Sequence, residues 1–96
     1  MRKFALGTLI MTCGVAEILE SDTTFEKFIT QCVKRYCECD WGDLVKEDID
    51  QNDNALKNGN ARIFASYKYN PDDDLSIWVI TESDRSVTTI LFPHEY

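Results

Sequence analysis

Three thiols fall within eight residues of one another, as Cys32-x4-Cys37-x-Cys39, and a fourth lies upstream at Cys13. Closely spaced thiolates are common donors of a tetrahedral zinc site, and Cys13 or His94 would complete such a set. One structural zinc is the cofactor these residues would hold. Cys37 and Cys39 are its best-placed ligands, because they lie where a helix ends and the chain can turn. The spacing is not the C-x2-C of zinc knuckles and ribbons. The competing reading is of reduced thiols. Cys32 falls on the apolar stripe of a helix, where a free thiol packs as a small hydrophobe, and Cys37 and Cys39 are too close for an easy mutual disulfide.

Carboxylates are the second concentration of reactive groups. The chain carries 17 acids against 10 bases, a net charge of −7. The imbalance is local: residues 1–36 sum to +1 and residues 37–96 to −8. Asp40, Asp43, Glu47, Asp48, Asp50 and Asp53 crowd one segment in which Lys46 is the sole base before Lys57. Asp72, Asp73 and Asp74 form a second knot at an expected hairpin tip. Such runs often serve as a solvated face and as helix caps. A displayed row of carboxylates also imitates nucleic-acid phosphates, and would steer onto a basic groove of a protein partner. Trp41, within the acidic turn, is either a plug over a helix end or an exposed interface anchor. These ten residues are the candidate partner contacts. The same charge argues against direct binding to nucleic acid or to an anionic membrane.

Other chemistry finds little support. Asp48-x-Asp50-x-Asn52 begins like a calcium loop, but Asp53 and Gly59 stand where that loop needs glycine and glutamate. The single histidine, His94, lies two residues from the end of the sequence, a poor place for a general base. No phosphate-binding or nucleophile-elbow motif occurs. Glu82, Asp84 and Arg85 form either a recognition loop or ordinary turn chemistry, with Arg85 paired to a nearby carboxylate. An enzyme is not expected.

The elements that must position these groups follow from periodicity. At 96 residues, 44% of them hydrophobic, the chain is sized for one globular domain spanning 1–96. Arg2 and Lys3 before an apolar run have the order of a secretory leader, but the run is short and is broken by Gly7 and Thr8. It reads instead as a strand over residues 4–12, and the expected compartment is the cytoplasm. Residues 15–19 suit a short helix. A T-x-x-E capping box at Thr23 and Glu26 opens a helix over 24–38, whose stripe is Phe25, Phe28, Ile29, Cys32, Val33 and Tyr36. Asp43 is a plausible cap for a further helix over 45–57, ended by Gly59. Residues 61–69, 75–81 and 87–92 alternate as strands with tight turns, an antiparallel meander. The first strand joins an edge of that sheet, and two or three helices cover one face, giving an α+β fold. No segment approaches the length of a membrane span.

From Asp40-Trp41-Gly42-Asp43-Leu44 through Ala55-Leu56-Lys57-Asn58-Gly59 and Ile77-Trp78-Val79-Ile80-Thr81-Glu82-Ser83-Asp84-Arg85-Ser86 to Phe92-Pro93, the chain resembles a family of small bacterial proteins. They are carried on plasmids, prophages and integrative elements and are described as plasmid-related. The family pattern has glycine before D-W-G-D-L where this chain has Cys39, so the Cys37/Cys39 pair is particular to this member. The resemblance implies a setting of conflict between mobile DNA and its host. It makes the chain a candidate anti-CRISPR protein whose partner is a type II CRISPR effector nuclease. The alternative is a zinc-stabilised accessory protein with another protein partner.

Overall fold

The period-two alternation of the C-terminal third forms the sheet it predicts. The computed structural model describes residues 4–59, 61–69 and 75–96. In chain order the elements are β1 (Thr8–Met11), α1 (Cys13–Ser21), α2 (Thr23–Cys37), α3 (Lys46–Asn58), β2 (Ile63–Lys68), β3 (Ser76–Thr81), β4 (Val87–Leu91) and a 3-10 turn (Pro93–Glu95). The fold is α+β, with sheet order β1-β4-β3-β2. The strands β2, β3 and β4 form the antiparallel meander. β1 takes the edge beside β4 but runs parallel to it, Thr8 opposite Val87 and Met11 opposite Ile90. The sheet is therefore mixed, not antiparallel throughout. No tight turn joins β1 to β4. With three helices and a hairpin between them, nothing imposes the antiparallel direction that a short connection would.

One sheet face carries Ile63, Ala65 and Tyr67, then Ile77, Val79 and Thr81, then Thr88 and Ile90, all buried. Against it lie Val15 of α1 and the α2 stripe of Phe25, Ile29, Cys32 and Tyr36. The first strand is shorter than its apolar run suggests. Gly7 bends the chain at φ +65, and a Cβ there would collide with the Ser86 carbonyl. The α2 cap also shifts by one residue. Asp22, not Thr23, accepts the free amides, from Thr24 at 3.0 Å and Phe25 at 3.1 Å. Its own N–H closes the end of α1 on the Ile18 carbonyl. A carboxylate is at least as good a cap as threonine, and here one residue ends one helix and starts the next.

Two helices, α1 and α2, cover the core face, and the third lies beside it. It packs along the outer edge of β2, where Asn52, though polar, is buried. Asn52 Nδ2 donates to the Phe64 carbonyl at 2.6 Å, and its Oδ1 accepts the Phe64 N–H at 3.0 Å. The side-chain amide thus stands in for a neighbouring strand. One step along, Ser66 donates to the Trp41 carbonyl and accepts from Asp43 N–H. Next, Asp43 Oδ2 accepts the Lys68 N–H at 2.9 Å. Asp43 is therefore engaged on the sheet edge instead of capping α3, whose N-cap is Val45 with no side-chain bond.

A buried chain of hydroxyls ties the layers together. Tyr36 Oη lies 2.7 Å from Thr81 Oγ1, which lies 2.7 Å from Thr88 Oγ1, which donates to the Leu6 carbonyl at 2.7 Å. Counting protons fixes the direction. The carbonyl only accepts, so the Thr88 proton goes to Leu6. Thr81 must then donate to Thr88, and Tyr36 to Thr81, with the Ile63 carbonyl at 3.3 Å sharing the tyrosine proton. Replacing Thr88 by valine keeps the shape and strands the Leu6 carbonyl, and is expected to cost about 2 kcal/mol. Tyr36→Phe leaves the remaining protons placed and is expected to cost about 1 kcal/mol. Urea midpoints of the two variants check the order, and a Thr88→Val midpoint equal to wild type would contradict it.

Candidate functional site

The ten candidate partner contacts separate into groups with different surroundings. Asp40 is engaged within the fold: Arg35 Nε reaches its Oδ2 at 2.8 Å and Nη2 its Oδ1 at 3.2 Å. Gly42 N–H adds a third bond. The guanidinium beside it, more than any other group, holds the Asp40 carboxyl below its usual range. Burial decides between the two readings of Trp41. At 4% exposure it packs against Tyr36, with ring centroids 5.6 Å apart, and is a plug over the end of α2 that offers a partner no side-chain surface. Asp43 serves the β2 edge. Asp72, Asp73 and Asp74 lie outside the described residues.

Glu47, Asp50 and Asp53 remain, all exposed on α3, with Asp48 half-buried beside them. Spacings of three residues put the three exposed acids on one helical face. Lys46 and Lys57 bracket that face, yet the one ion pair among the described residues is Arg35–Asp40. Among the described residues, the three carboxylates therefore stand in solvent with no cationic partner in contact.

Asp48 opens onto a feature that periodicity hints at but does not reveal. On the sheet face opposite the core, Phe64, Trp78 and Tyr96 meet edge to face, with centroids 5.0 Å and 5.7 Å apart. With Asp48, Gln51, Asn52, Ala61, Arg62 and Ile80 they line an open cleft of about 420 Å3. Trp78 lies in β3 among the apolar residues Ile77, Val79 and Ile80. Its parity along β3 is opposite to that of Ile77 and Val79, which is the signal that places it here. Nothing local signals Tyr96, because it arrives only when the Pro93–Glu95 turn folds back. Arg62 lies over the Tyr96 ring at 5.8 Å and donates to its hydroxyl at 2.9 Å. Aromatic faces and a carboxylate favour cations, and Arg62 shows that a guanidinium fits against this cleft.

No family model matches the chain, and no curated protein or solved structure matches it. Among the described residues, no three His, Cys, Asp or Glu side chains come together to hold a metal ion. Cys13 is exposed at the start of α1, Cys37 and Cys39 are half-buried, and Cys32 is in the core. Burial, above all, pushes the Cys32 thiol up to about 12. The zinc reading therefore draws no support from this arrangement. Cys39 has φ 64, a conformation natural to glycine. No helix among the described residues is long and apolar enough to cross a membrane.

Arg85 behaves differently from the expected carboxylate pairing. Its Nη1 donates to the carbonyls of Ala61 at 2.7 Å and Glu82 at 3.1 Å, and its Nη2 to Ala55 at 3.1 Å. The guanidinium thus secures the last turn of α3, the negative end of its dipole, to the β3–β4 loop. Asp84 folds the same loop by accepting from the N–H and hydroxyl of Ser86. Arg85→Ala is expected to cost about 2–3 kcal/mol, read as a lower urea midpoint at unchanged slope. Lysine should recover less than half of the loss, because an ammonium lacks the planar fork. A pH series provides a second check. Side-chain hydrogen bonds hold Asp40 to Arg35, Asp84 to Ser86 and Glu95 to Thr12, and all three carboxyls are lowered. A depressed carboxyl contributes stability above its unfolded pKa and loses it as pH falls through the folded value. Stability should therefore hold from neutrality down to about the ordinary glutamate value of 4.5 and decline below it. Asp40→Asn should make that decline shallower.

Proposed function

We propose that the protein is a non-enzymatic interaction protein that sets its acidic α3 face and the adjoining cleft against the cationic nucleic-acid-binding surface of a protein partner. By occupying that surface it keeps DNA from loading. The observation that carries this reading is the row of Glu47, Asp50 and Asp53, exposed and without an ionic partner, beside Asp48 at the mouth of the cleft. Three-residue spacing places a carboxylate about every 4.5 Å along the helix axis. One DNA strand presents a phosphate about every 3.4 Å of axis. The two charge densities are comparable, so a groove built for phosphates would accept the helix. The cleft adds aromatic faces on which an arginine or lysine of the partner would rest. The resemblance to plasmid and prophage proteins implies a setting of conflict between mobile DNA and its host, and in that setting the partner we propose is a type II CRISPR effector nuclease in the cytoplasm of a bacterial host.

The test is titration of the protein into a DNA-cleavage reaction of such a nuclease. Stoichiometric inhibition that weakens with salt is expected. The variant carrying Glu47→Lys, Asp50→Lys and Asp53→Lys should need about tenfold more protein for half inhibition. No inhibition at large molar excess overturns the nuclease reading, and undiminished inhibition by the triple variant overturns the role of the acidic face.

A further inference from the structure

The two edges of the sheet are treated in opposite ways. The β2 edge is closed by Asn52, Trp41 and Asp43, as described above. At the other edge, the Thr8 N–H bonds the Ser86 carbonyl and the Thr12 N–H that of Ile90. This parallel ladder turns the backbone groups of Thr8, Ile10 and Thr12 toward β4. Those of Leu9 and Met11 therefore point away from the sheet. The side chains of this edge are exposed too, Leu9 at 44% and Ile10 at 46%. Leu9 and Met11 form one wall of an apolar groove of about 300 Å3, completed by Leu19, Ile29, Val33 and Ile90. β1 contains no lysine, proline or bulge, the devices that usually protect an open edge.

From this edge we infer that two copies of the chain pair antiparallel through β1, joining their sheets into one of eight strands. The occupant is chosen by complementarity. A two-fold axis at Ile10 sets Leu9 against Met11 of the second copy, and the outward N–H and C=O of both residues are satisfied in four hydrogen bonds. The strand presents Leu9 and Met11 on one face and Ile10 on the other, and needs a partner with apolar groups at the matching positions, which β1 itself supplies. An isologous contact of this kind closes on itself instead of propagating. Charge permits it. β1 is uncharged and lies in the stretch 1–36 that sums to +1, whereas the acidic α3 packs on the opposite edge, three strands away. Glu26 is the one ionisable side chain lining the groove. Pairing leaves the acidic faces outermost and their carboxylates unopposed.

Sedimentation of the full chain across a concentration series tests this. The expected result is a species of twice 11.1 kDa that dissociates on dilution. Ile10→Lys should raise the dissociation constant at least about tenfold with an unchanged far-ultraviolet spectrum. Ile10→Cys in a Cys13→Ser background keeps the edge apolar and sets two thiols across the axis, where oxidation should yield a covalent dimer. A mass of one chain at every concentration, or no covalent dimer on oxidation, overturns the inference. So does a monomer that instead takes up an extended apolar peptide along β1.

Discussion

The hydroxyl chain from Tyr36 through Thr81 and Thr88 to the Leu6 carbonyl is the constraint on which the other contacts rest. It crosses from α2 through β3 and β4 to the segment ahead of β1, so one line of protons registers helix, meander and N-terminus together. Apolar packing alone would tolerate a shift of α2 along the sheet, because dispersion is not directional. A buried hydroxyl is directional, and stranding one costs more than its bond contributes. No described buried side-chain polar atom lacks a partner, so this network specifies the layer arrangement without leaving a penalty behind.

With α2 fixed, its C-terminal turn is fixed as well, and that turn leads the chain to the β2 edge. Arg35 holds Asp40 and lies over the Tyr67 ring at 4.9 Å, while the Tyr67 hydroxyl donates to the Asp40 carbonyl. Gly42 then approaches Ser66 so closely that a Cβ would overlap its carbonyl, at a φ of +75 that suits glycine. The D-W-G-D-L motif is thus an edge-closing device: Asp40 anchors, Trp41 plugs, Gly42 permits contact and Asp43 pairs. Covering this edge commits α3 to the border of the open sheet face, which is why an acidic helix and an aromatic cleft become neighbours.

Much of this was legible in the sequence, for identifiable reasons. The meander and the α2 stripe follow from strong local periodicity, as does the placing of Ile63, Ala65 and Tyr67 on one face. The direction of β1 was not legible, because parallel pairing with β4 depends on contacts 79 residues away in sequence, as between Thr8 and Val87. Asp22 displaced Thr23 as the cap because two helices meet there and only a residue between them serves both. Asp43 looked like a helix cap because capping is local chemistry, and its real use on Lys68 is tertiary. The cleft was half visible: strand parity carries Arg62, Phe64 and Trp78 to one face, but Tyr96 reaches it only through the folded C-terminal turn.

An acidic helix must be folded before it can be presented, and α3 shows how that is achieved without involving its charges. It has no side-chain N-cap, and its exposed acids repel one another along the helix. Glu47 and Asp48 in the first turn suit the dipole, a favourable term worth only about 0.3–1 kcal/mol each. The helix is held from its other side, by Asn52 on the β2 backbone, by the burial of Ala55 and by Arg85 at its last carbonyls. Those contacts leave the outward face with no structural duty beyond the small dipole term of Glu47. Substitutions at Glu47, Asp50 or Asp53 thus alter charge with little effect on the fold, whereas substitutions at Asn52 or Arg85 remove the scaffold beneath it. Stability and surface charge are separable in this helix because opposite sides of it carry them.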